Sequence, residues 1–394
     1  MTSAGLSYDE MTMITPLQEE NTTGLGSDKL PLNPWNNPYN IISIQTFLSF
    51  EKVVNCGVIL ILFSIGVPTN LLNCLVFYRQ GLRDRMNLCL FSLALVDMLY
   101  VMFFYLMGSY CHVGLLLPEV EDWWKYFVRD KFTGIYRGFL YSSGCLTMVI
   151  AVERCLCVTL PLKAATLVKT RTIAVIITGV VVSLQVVCLL YPLQYIMDSR
   201  EDPNTGRITF FLTSTQFYFQ HKLLYDVLEN TFLMIVIPFT TFTVVAIATA
   251  ITVVQLKRAI AWRHGSSSSS SSDVREVALV KMLVVVSLIY IITAAPNLAL
   301  GLTKLLVPEF RHTNRYAIIF VASHFMYLVL AQANSSVNFF VYLARSSRFR
   351  QELRRLIRLG RRQSLAAGGT RRVDDTMTTD KGHSISEQSG AVLA

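Results

Sequence analysis

The chain carries few charged residues for its length. Asp, Glu, Lys and Arg make up 15% of its 394 residues, whereas a soluble domain typically carries about 25%. The segments 56–77, 173–196, 230–254 and 282–303 contain no formally charged residue. Because long uncharged runs bury their backbone polar groups as helices in lipid, this composition excludes an ordinary soluble domain and indicates a helical membrane protein.

Cysteine is sparse on the predicted outer surface. Of the eight cysteines, only Cys111 is expected to lie near the external face, and the external loop 197–224 has none. We therefore expect no disulfide framework and no metal-ligand spacing. The first 40 residues lack the apolar core of a cleavable signal peptide, so the first span is expected to act as its own insertion signal.

Seven apolar runs have the length needed to cross a bilayer. They predict an all-α membrane protein with a bundle of seven transmembrane helices, and no internal repeat of the kind that marks many transporters is evident. The predicted spans are 52–78, 87–110, 132–158, 172–196, 225–256, 276–303 and 316–343.

The distribution of Lys and Arg predicts the orientation. The loops after spans one, three and five, together with the segment after span seven, hold eighteen of these residues, and the other three loops hold nine. By the positive-inside rule the richer side is cytoplasmic. The net charge of +9 then follows from topology, and we do not infer nucleic-acid binding. The tail 1–51 lies outside, where Asn21 in Asn21-Thr22-Thr23 is a predicted glycosylation site.

Composition also predicts the character of the segments within and after the membrane domain. Residues 52–343 form one membrane domain, and 346–358 alternate apolar side chains with arginines, which predicts an amphipathic helix on the anionic inner leaflet. The polar tail 359–394 is predicted to be disordered and cytoplasmic. The run Ser266–Ser272 is either a flexible tether or a phosphorylation site.

Several polar side chains lie at similar depth inside the predicted spans. Buried polar groups in lipid must pair with one another or with water. They form either a structural hydrogen-bonded network or a pocket that holds Na⁺, with Asp97 as the charged ligand. These residues are Asn70, Asp97, Ser143, Asn334, Ser335 and Asn338.

Glu153 and Arg154 end the third span at its cytoplasmic face. A charge-assisted Arg–carboxylate pair is strong when partly desolvated and can still be broken, as a two-state switch requires. Glu276, at the start of the sixth span, is one candidate partner of Arg154, and Glu153 is the nearer competitor. Alternatively, Glu276 is a solvated acid favoured by the helix dipole.

Three prolines lie inside predicted spans: Pro192 in the fourth, Pro238 in the fifth and Pro296 in the sixth. Each removes a backbone hydrogen bond and can kink its helix. Kinks beside a cavity would act as hinges.

Taken in order, these motifs resemble those of rhodopsin-like G-protein-coupled receptors. The resemblance covers about 290 residues and includes Asn87-Leu88 leading to Leu93-Ala94-Leu95-Val96-Asp97, and Glu153-Arg154-Cys155 where the family usually has Asp/Glu-Arg-Tyr. It ends with Asn338-Phe339-Phe340-Val341-Tyr342, the family's Asn-Pro-x-x-Tyr with Phe for Pro. The chain looks most similar to invertebrate, especially molluscan, chemosensory receptors or neuropeptide receptors of the FMRFamide type.

The resemblance implies a plasma-membrane receptor that is not an enzyme. An extracellular peptide or small molecule would favour an open state that binds a heterotrimeric G protein. Arg154 would contact the G protein, with Glu153, Glu276 and Asn338 in the switch, and Tyr342 would refill the space left by the moving sixth helix. A receptor kinase and arrestin are further implied partners, along with membrane lipid.

The chain departs from the family at several positions. The family's disulfide reaches the top of the third helix, but that position falls near Arg129, so the outer pocket is expected to be looser or held by Trp123 and Trp124. Ala294 stands where the sixth helix usually has Trp, and Ala246 where the fifth has Tyr. Activation is therefore expected to use other residues.

The ligand candidates are Tyr136, Arg137, Glu229, His324 and Gln332. Tyr136 occupies the position where amine receptors carry Asp, which argues against an amine. Arg137 either snorkels to the interface, or binds a ligand carboxylate, or pairs with Glu229. In the last case the carboxylate interpretation fails. Two other functions stay open: a scaffolding or neuropeptide-binding receptor with weak G-protein coupling, and a transporter.

Overall fold

The computed structural model describes residues 40–160, 169–201, 203, 206, 208–264, 271–310 and 315–358, and its side-chain description excludes 262–264 and 271–276. Three predictions lie outside the described residues: glycosylation of Asn21, the disordered tail 359–394 and most of the serine run. The side chain of Glu276 also lies outside them. The chain divides into two compact units, Met1–Ser346 and Ser347–Ala394.

Seven helices in the described residues are long and apolar enough to cross a membrane. Their number and character confirm the predicted all-α, seven-helix membrane fold. The spans are α1 Ile44–Gln80, α2 Arg85–Gly108, α3 Pro118–Thr159, α4 Thr170–Gln194, α5 Lys222–Ala261, α6 Val277–Leu306 and α7 Ala317–Arg345.

Smaller elements complete the chain. Short helices cover Tyr110–Leu116 and Gln216–Gln220, and α8 covers 347–358 in the second unit. In α8, Phe349 and Leu353 are buried, whereas the arginines at 354, 355 and 358 are exposed. Strands β1 (Tyr195–Glu201) and β2 (Ile208–Ser214) form an antiparallel hairpin in which Tyr195 pairs with Ser214.

The helices form a ring with α3 at its centre. α1 packs against α2 and α7, α5 against α6, and α6 against α7, while α3 contacts α2, α4, α5 and α6. We call the end at which α1 begins the outer end, following the predicted orientation, and the opposite end the inner end. The central position of α3 gives its side chains access to most of the bundle.

The connection between α1 and α2 shows how local sequence sets a helix boundary. Gly81 ends α1 at φ 95°, a conformation that L side chains rarely adopt. Asp84 then caps α2, its Oδ1 accepting hydrogen bonds from the backbone N–H of Met86 at 2.8 Å and of Asn87 at 3.1 Å. The Asn87 side-chain amide donates hydrogen bonds to the carbonyls of Gln80 and Gly81. These bonds supply partners for carbonyl groups that have none within the helix at the end of α1.

The three prolines have different effects. In α4 the regular helix ends at Cys188, and Pro192 lies in the first turn of a separate segment, Tyr191–Gln194. In α5, Pro238 follows a π-helical segment, Asp226–Val236, and lies in the first turn of Ile237–His264. Pro296 lies within one continuous helix, Ser271–Leu306. The helix is therefore interrupted just before Pro192 and changes from π to α just before Pro238, and α6 continues through Pro296.

The outer ends of several helices extend beyond the predicted spans. α1 begins at Ile44, inside the predicted tail, and α3 begins at Pro118 rather than at residue 132. Hydropathy detects only the apolar part of a helix, but these helices continue through charged residues that have partners. Glu51 of α1 accepts a hydrogen bond from Arg129 of α3 at 3.1 Å. Lys304, predicted in an external loop, belongs to α6 and is buried.

The expectation of no disulfide framework is wrong. Cys56 and Cys111 are bonded, with Cα atoms 5.6 Å apart. Cys56 lies inside α1, level with the end of α2, because the short helix that carries Cys111 follows α2 directly. The bond joins α1 to the short helix after α2.

We expect that Cys56→Ser or Cys111→Ser lowers the free energy of unfolding by about 2–4 kcal/mol, because the bond closes a long loop in the unfolded chain. The measurement is thermal denaturation of the purified protein with and without reductant. Cys145→Ser is the matched control, since Cys145 is a free, partly buried thiol, and it should shift the melting temperature much less. Detection of free thiols at both 56 and 111 would contradict the bond.

Candidate functional site

A buried carboxylate lies between two arginines at the inner end. Arg154 donates hydrogen bonds to both carboxylate oxygens of Glu153. Its Nη2 donates to Oε1 at 2.7 Å, and its Nε donates to Oε2. Arg85, the first residue of α2, reaches Oε1 with its Nε at 2.9 Å. Of the two predicted partners of Arg154, Glu153 is in contact with it, and the side chain of Glu276 lies outside the described residues.

Arg154 also borders a small cavity between α3, α5 and α6. The cavity has a volume of about 10 Å³, close to the space that one water molecule needs. Thr249, Thr252 and Ser287 contribute hydroxyl groups to its wall. The buried Thr249 hydroxyl has no hydrogen-bond partner among the described residues. An acceptor for Arg154 is thus available on α5, although Ala246 replaces the family's Tyr.

Asp97 is the centre of a second polar cluster at the middle of the bundle. It is fully buried. Its Oδ1 accepts hydrogen bonds from the hydroxyls of Ser143 on α3 at 2.6 Å and Ser335 on α7 at 2.9 Å. Its Oδ2 accepts one from the Asn338 amide at 3.0 Å. One carboxylate therefore links α2, α3 and α7.

Asn70 joins α1 to this cluster through the backbone. Its amide donates to the carbonyls of Gly66 at 3.0 Å and Ser335 at 2.8 Å. A Cβ on Gly66 would lie 2.5 Å from the Ser336 hydroxyl, so only glycine permits this close approach of α1 and α7. Asn70 thus contacts α7 without contacting Asp97 directly.

The composition of the Asp97 cluster suits a hard monovalent cation. A carboxylate, two hydroxyls and an amide oxygen are ligands of the type that such ions prefer. The buried Asn338 Oδ1 has no hydrogen-bond partner among the described residues, so one oxygen remains available. When bound, Na⁺ would neutralise Asp97, held by Asp97, Ser143, Ser335 and Asn338.

A polar cavity adjoins this cluster. It has a volume of about 40 Å³ and lies between α3, α5, α6 and α7, with Ser143, Asn334, Ser335 and Asn297 in its wall. Ala294, where the family carries Trp, also lines it. The Tyr290 hydroxyl donates to Thr241 at 2.9 Å across the cavity. The space left by the missing Trp is therefore partly polar.

Tyr342 is buried near the inner end of α7. Its ring packs edge-on against Phe77 of α1, with centroids 5.3 Å apart. Here it fills a space between α7 and α1.

Arg137 pairs with Glu229 in the outer half of the bundle. The Arg137 Nη1 and the Glu229 Oε1 are 2.6 Å apart, and the guanidinium lies 4.7 Å from the centre of the Tyr191 ring. Together they line a cleft between α3, α4 and α5. Gln194 lies there too, with its Oε1 buried and without a partner among the described residues. Because Arg137 has a carboxylate partner in the protein, its interpretation as a ligand-carboxylate anchor fails.

The other ligand candidates do not join this cleft. Tyr136 is buried in an apolar cluster with Phe104 and Leu328. On α7, the His324 ring lies parallel to that of Phe320. Gln332 is fully buried, and neither atom of its side-chain amide has a partner in the described part of the chain. Of the five candidates, Arg137 and Glu229 line the cleft, and the other three are not among its described lining residues.

Aromatic contacts and hydrogen bonds hold the outer end of the bundle together. The Trp124 indole donates to Ser109 at 2.8 Å, and Trp123 stacks on Phe127. Tyr110 accepts a hydrogen bond from Asn55 at 3.3 Å. Burial raises the pKa of Tyr110, and the Glu51 carboxylate adds to the effect, so this hydroxyl stays protonated at neutral pH.

Comparison with known families agrees with this geometry. The model of the seven-transmembrane receptors of the rhodopsin family matches residues 69–342. The chain belongs to this family. No curated protein matches it. The match includes Asn70, Asp97, the Glu153–Arg154 pair and Tyr342.

Two residues of the receptor were missed by sequence reasoning. Arg85 was counted only as a positive loop charge, although it contacts Glu153. Lys304 donates to Asn230 on α5 at 2.8 Å and lies 3.2 Å from the Met234 sulfur. The sequence signal for Arg85 was weak: a basic residue that follows Asp84 just before the predicted second span.

We expect that Arg137→Gln or Glu229→Gln lowers the free energy of unfolding by about 1–3 kcal/mol, because each leaves a partly desolvated charge without its partner. The double variant Arg137→Glu with Glu229→Arg should recover most of the loss. The measurement is the melting temperature in detergent. Arg355→Gln breaks the exposed pair with Glu352 in α8 and serves as the control, with almost no expected shift. Equal effects of the single and swapped variants would contradict a stabilising pair.

Proposed function

We propose that this receptor lies in the plasma membrane with its amino terminus outside and transmits the binding of an extracellular ligand to a heterotrimeric G protein. The observation that carries the proposal is the buried Glu153–Arg154 pair at the inner end of the central helix. An ion pair in this position is strong while the site is closed and can be exchanged for other partners when it opens.

The proposed closed state is the one in the structure. Arg154 is held by Glu153 and faces the small cavity between α5 and α6. Outward movement of α6 would widen that cavity and expose the guanidinium to a G protein. A ligand can drive this movement only by its difference in affinity for the two states. In the proposed opening, Tyr342 moves away from Phe77 into the widened space. Glu276 is proposed to take part in the switch as a further partner of Arg154.

The proposed ligand is a peptide or a small amphiphilic molecule of the kind that chemosensory receptors bind. The cleft in the outer half offers the Arg137–Glu229 pair, the Tyr191 ring and the buried Gln194 amide. These groups provide hydrogen bonds and aromatic contacts, and the one charged pair is internally neutral. They suit a largely uncharged ligand better than an acidic one.

A second candidate is a receptor that binds its ligand without efficient G-protein coupling. The absence of Trp at Ala294 and of Tyr at Ala246 supports it. A broad ligand screen with a second-messenger readout, followed by nucleotide exchange on purified G proteins of every class, separates the two. Ligand binding without exchange in any class would favour the second candidate.

We expect that Arg154→Ala abolishes nucleotide exchange while leaving surface expression and outer-pocket ligand binding largely intact, because the residue lies at the opposite end from the ligand. The measurement is exchange by purified G protein, first without ligand and then with active compounds from the screen. Arg171→Ala, which removes an exposed charge at the inner end, is the control. Undiminished exchange in Arg154→Ala would exclude Arg154 from coupling.

We expect sodium to raise the melting temperature of the wild-type receptor relative to N-methylglucamine, and Asp97→Asn to remove this difference, because the variant lacks the charged ligand. Asp198→Asn changes an exposed acid of the hairpin and should keep the sodium response. If the wild-type protein shows no sodium response, the Asp97 cluster is a structural network.

A further inference from the structure

Glu153 has two cationic partners, and only one of them is Arg154. The Glu153 side chain is 1% exposed, that of Arg154 10% and that of Arg85 25%. In the described part of the chain these two arginines are the cations within salt-bridge distance of the carboxylate. Glu153 therefore contacts two cations in the closed state.

The second cation matters because of what opening does to Glu153. Removing the partner of a buried charge is strongly unfavourable, since it leaves the charge desolvated and uncompensated. If Arg154 were the only partner, each opening of the receptor would expose Glu153 to this penalty. With Arg85 already 2.9 Å away, the carboxylate keeps a salt bridge after Arg154 has left.

The position of Arg85 allows it to stay when Arg154 moves. It is the first residue of α2, directly after the Asp84 cap, and α2 packs along α3. Its Nη2 also donates to the Cys157 sulfur at 3.1 Å, one turn beyond Glu153, and the Cys157 thiol in turn donates to Glu153 Oε1 at 3.3 Å. Arg85 is thus attached to the same face of α3 as Glu153, independently of Arg154 and of the α5–α6 cavity.

We propose that Arg85 is a positioning residue of the receptor switch, which holds the Glu153 carboxylate when Arg154 is released toward the G protein. This inference rests on the proposed function for its role in signalling. The sharing of Glu153 by the two arginines is a separate physical claim. Arg85 stabilises Glu153 in both states, but more in the open state, where it is the remaining partner. Its loss therefore shifts the equilibrium toward the closed state.

The sharing is tested without any ligand or G protein. Arg154→Gln imitates the open state for Glu153, because Arg85 is then the remaining cation. We expect Arg85→Gln and Arg154→Gln each to lower the melting temperature slightly, and the double variant to lose roughly 10 °C more than the sum, because Glu153 then has no cation. Adding Glu153→Gln to the double variant should recover the lost melting temperature. The single variant Arg85→Lys should have the melting temperature of the wild type.

Failure to fold is itself informative here. If the double variant cannot be purified but the triple variant with Glu153→Gln can, the result supports the proposal. Additive losses, or a triple variant no more stable than the double, would overturn it. Arg83→Gln, which removes the neighbouring inner-loop charge beyond the Asp84 cap, is the matched control and should not interact with Arg154→Gln.

The signalling role is tested by the affinity of ligand-free receptor for nucleotide-free G protein, which falls in proportion to the fraction of open receptor. We expect Arg85→Gln to weaken this affinity about tenfold and to have no further effect in a Glu153→Gln background. An unchanged affinity in Arg85→Gln, or the same weakening in both backgrounds, would overturn the signalling role. If no variant, including the wild type, binds any G protein while the melting temperatures remain non-additive, the proposed function fails and the sharing of Glu153 stands.

Discussion

The burial of carboxylates inside a membrane bundle is the constraint on which the rest of this structure depends. Asp97 and Glu153 are both almost completely removed from solvent, and each must be satisfied by neighbouring helices because lipid offers no alternative. Asp97 accepts three hydrogen bonds from α3 and α7, and Glu153 is held by cations from α2 and α3. These two acids connect the central helix to its neighbours at mid-depth and at the inner end.

The two clusters differ in a way that suits different tasks. The Asp97 cluster is built from neutral donors, so its state changes when a cation enters or when a serine hydroxyl turns away. The Glu153 cluster is built from charges, and Arg154 faces a cavity with an unpartnered hydroxyl on Thr249. Arg154 therefore has groups to contact on both sides. An arginine that finds a hydrogen-bond acceptor in either position can move at lower cost than one that finds none, which is the property that a receptor switch needs.

The outer end of the bundle is held by a disulfide, an ion pair and a backbone hydrogen bond. The Cys56–Cys111 bond and the Glu51–Arg129 pair attach α1 to α2 and to α3, and the hairpin between α4 and α5 reaches α3, where the backbone N–H of Met197 donates to Asp130. Glu51, Arg129 and Asp130 belong to parts of α1 and α3 that extend beyond the predicted apolar spans. Restraining α1 in this way leaves the cleft between α3, α4 and α5 to be shaped by the Arg137–Glu229 pair.

By itself, the sequence determined the number of helices, their approximate spans and the small set of polar residues that had to lie inside them, because an apolar run of bilayer length has few alternatives to a spanning helix. It also identified Asp97 with Ser143, Ser335 and Asn338, since polar groups at equal depth must meet. Only the tertiary structure decided which partner each charge takes. Glu153 binds both Arg154 and Arg85, Arg137 binds Glu229, and Cys56 lies level with Cys111, because helix rotation, length and tilt are set by packing between helices distant in the chain. A one-dimensional hydropathy pattern contains none of that information.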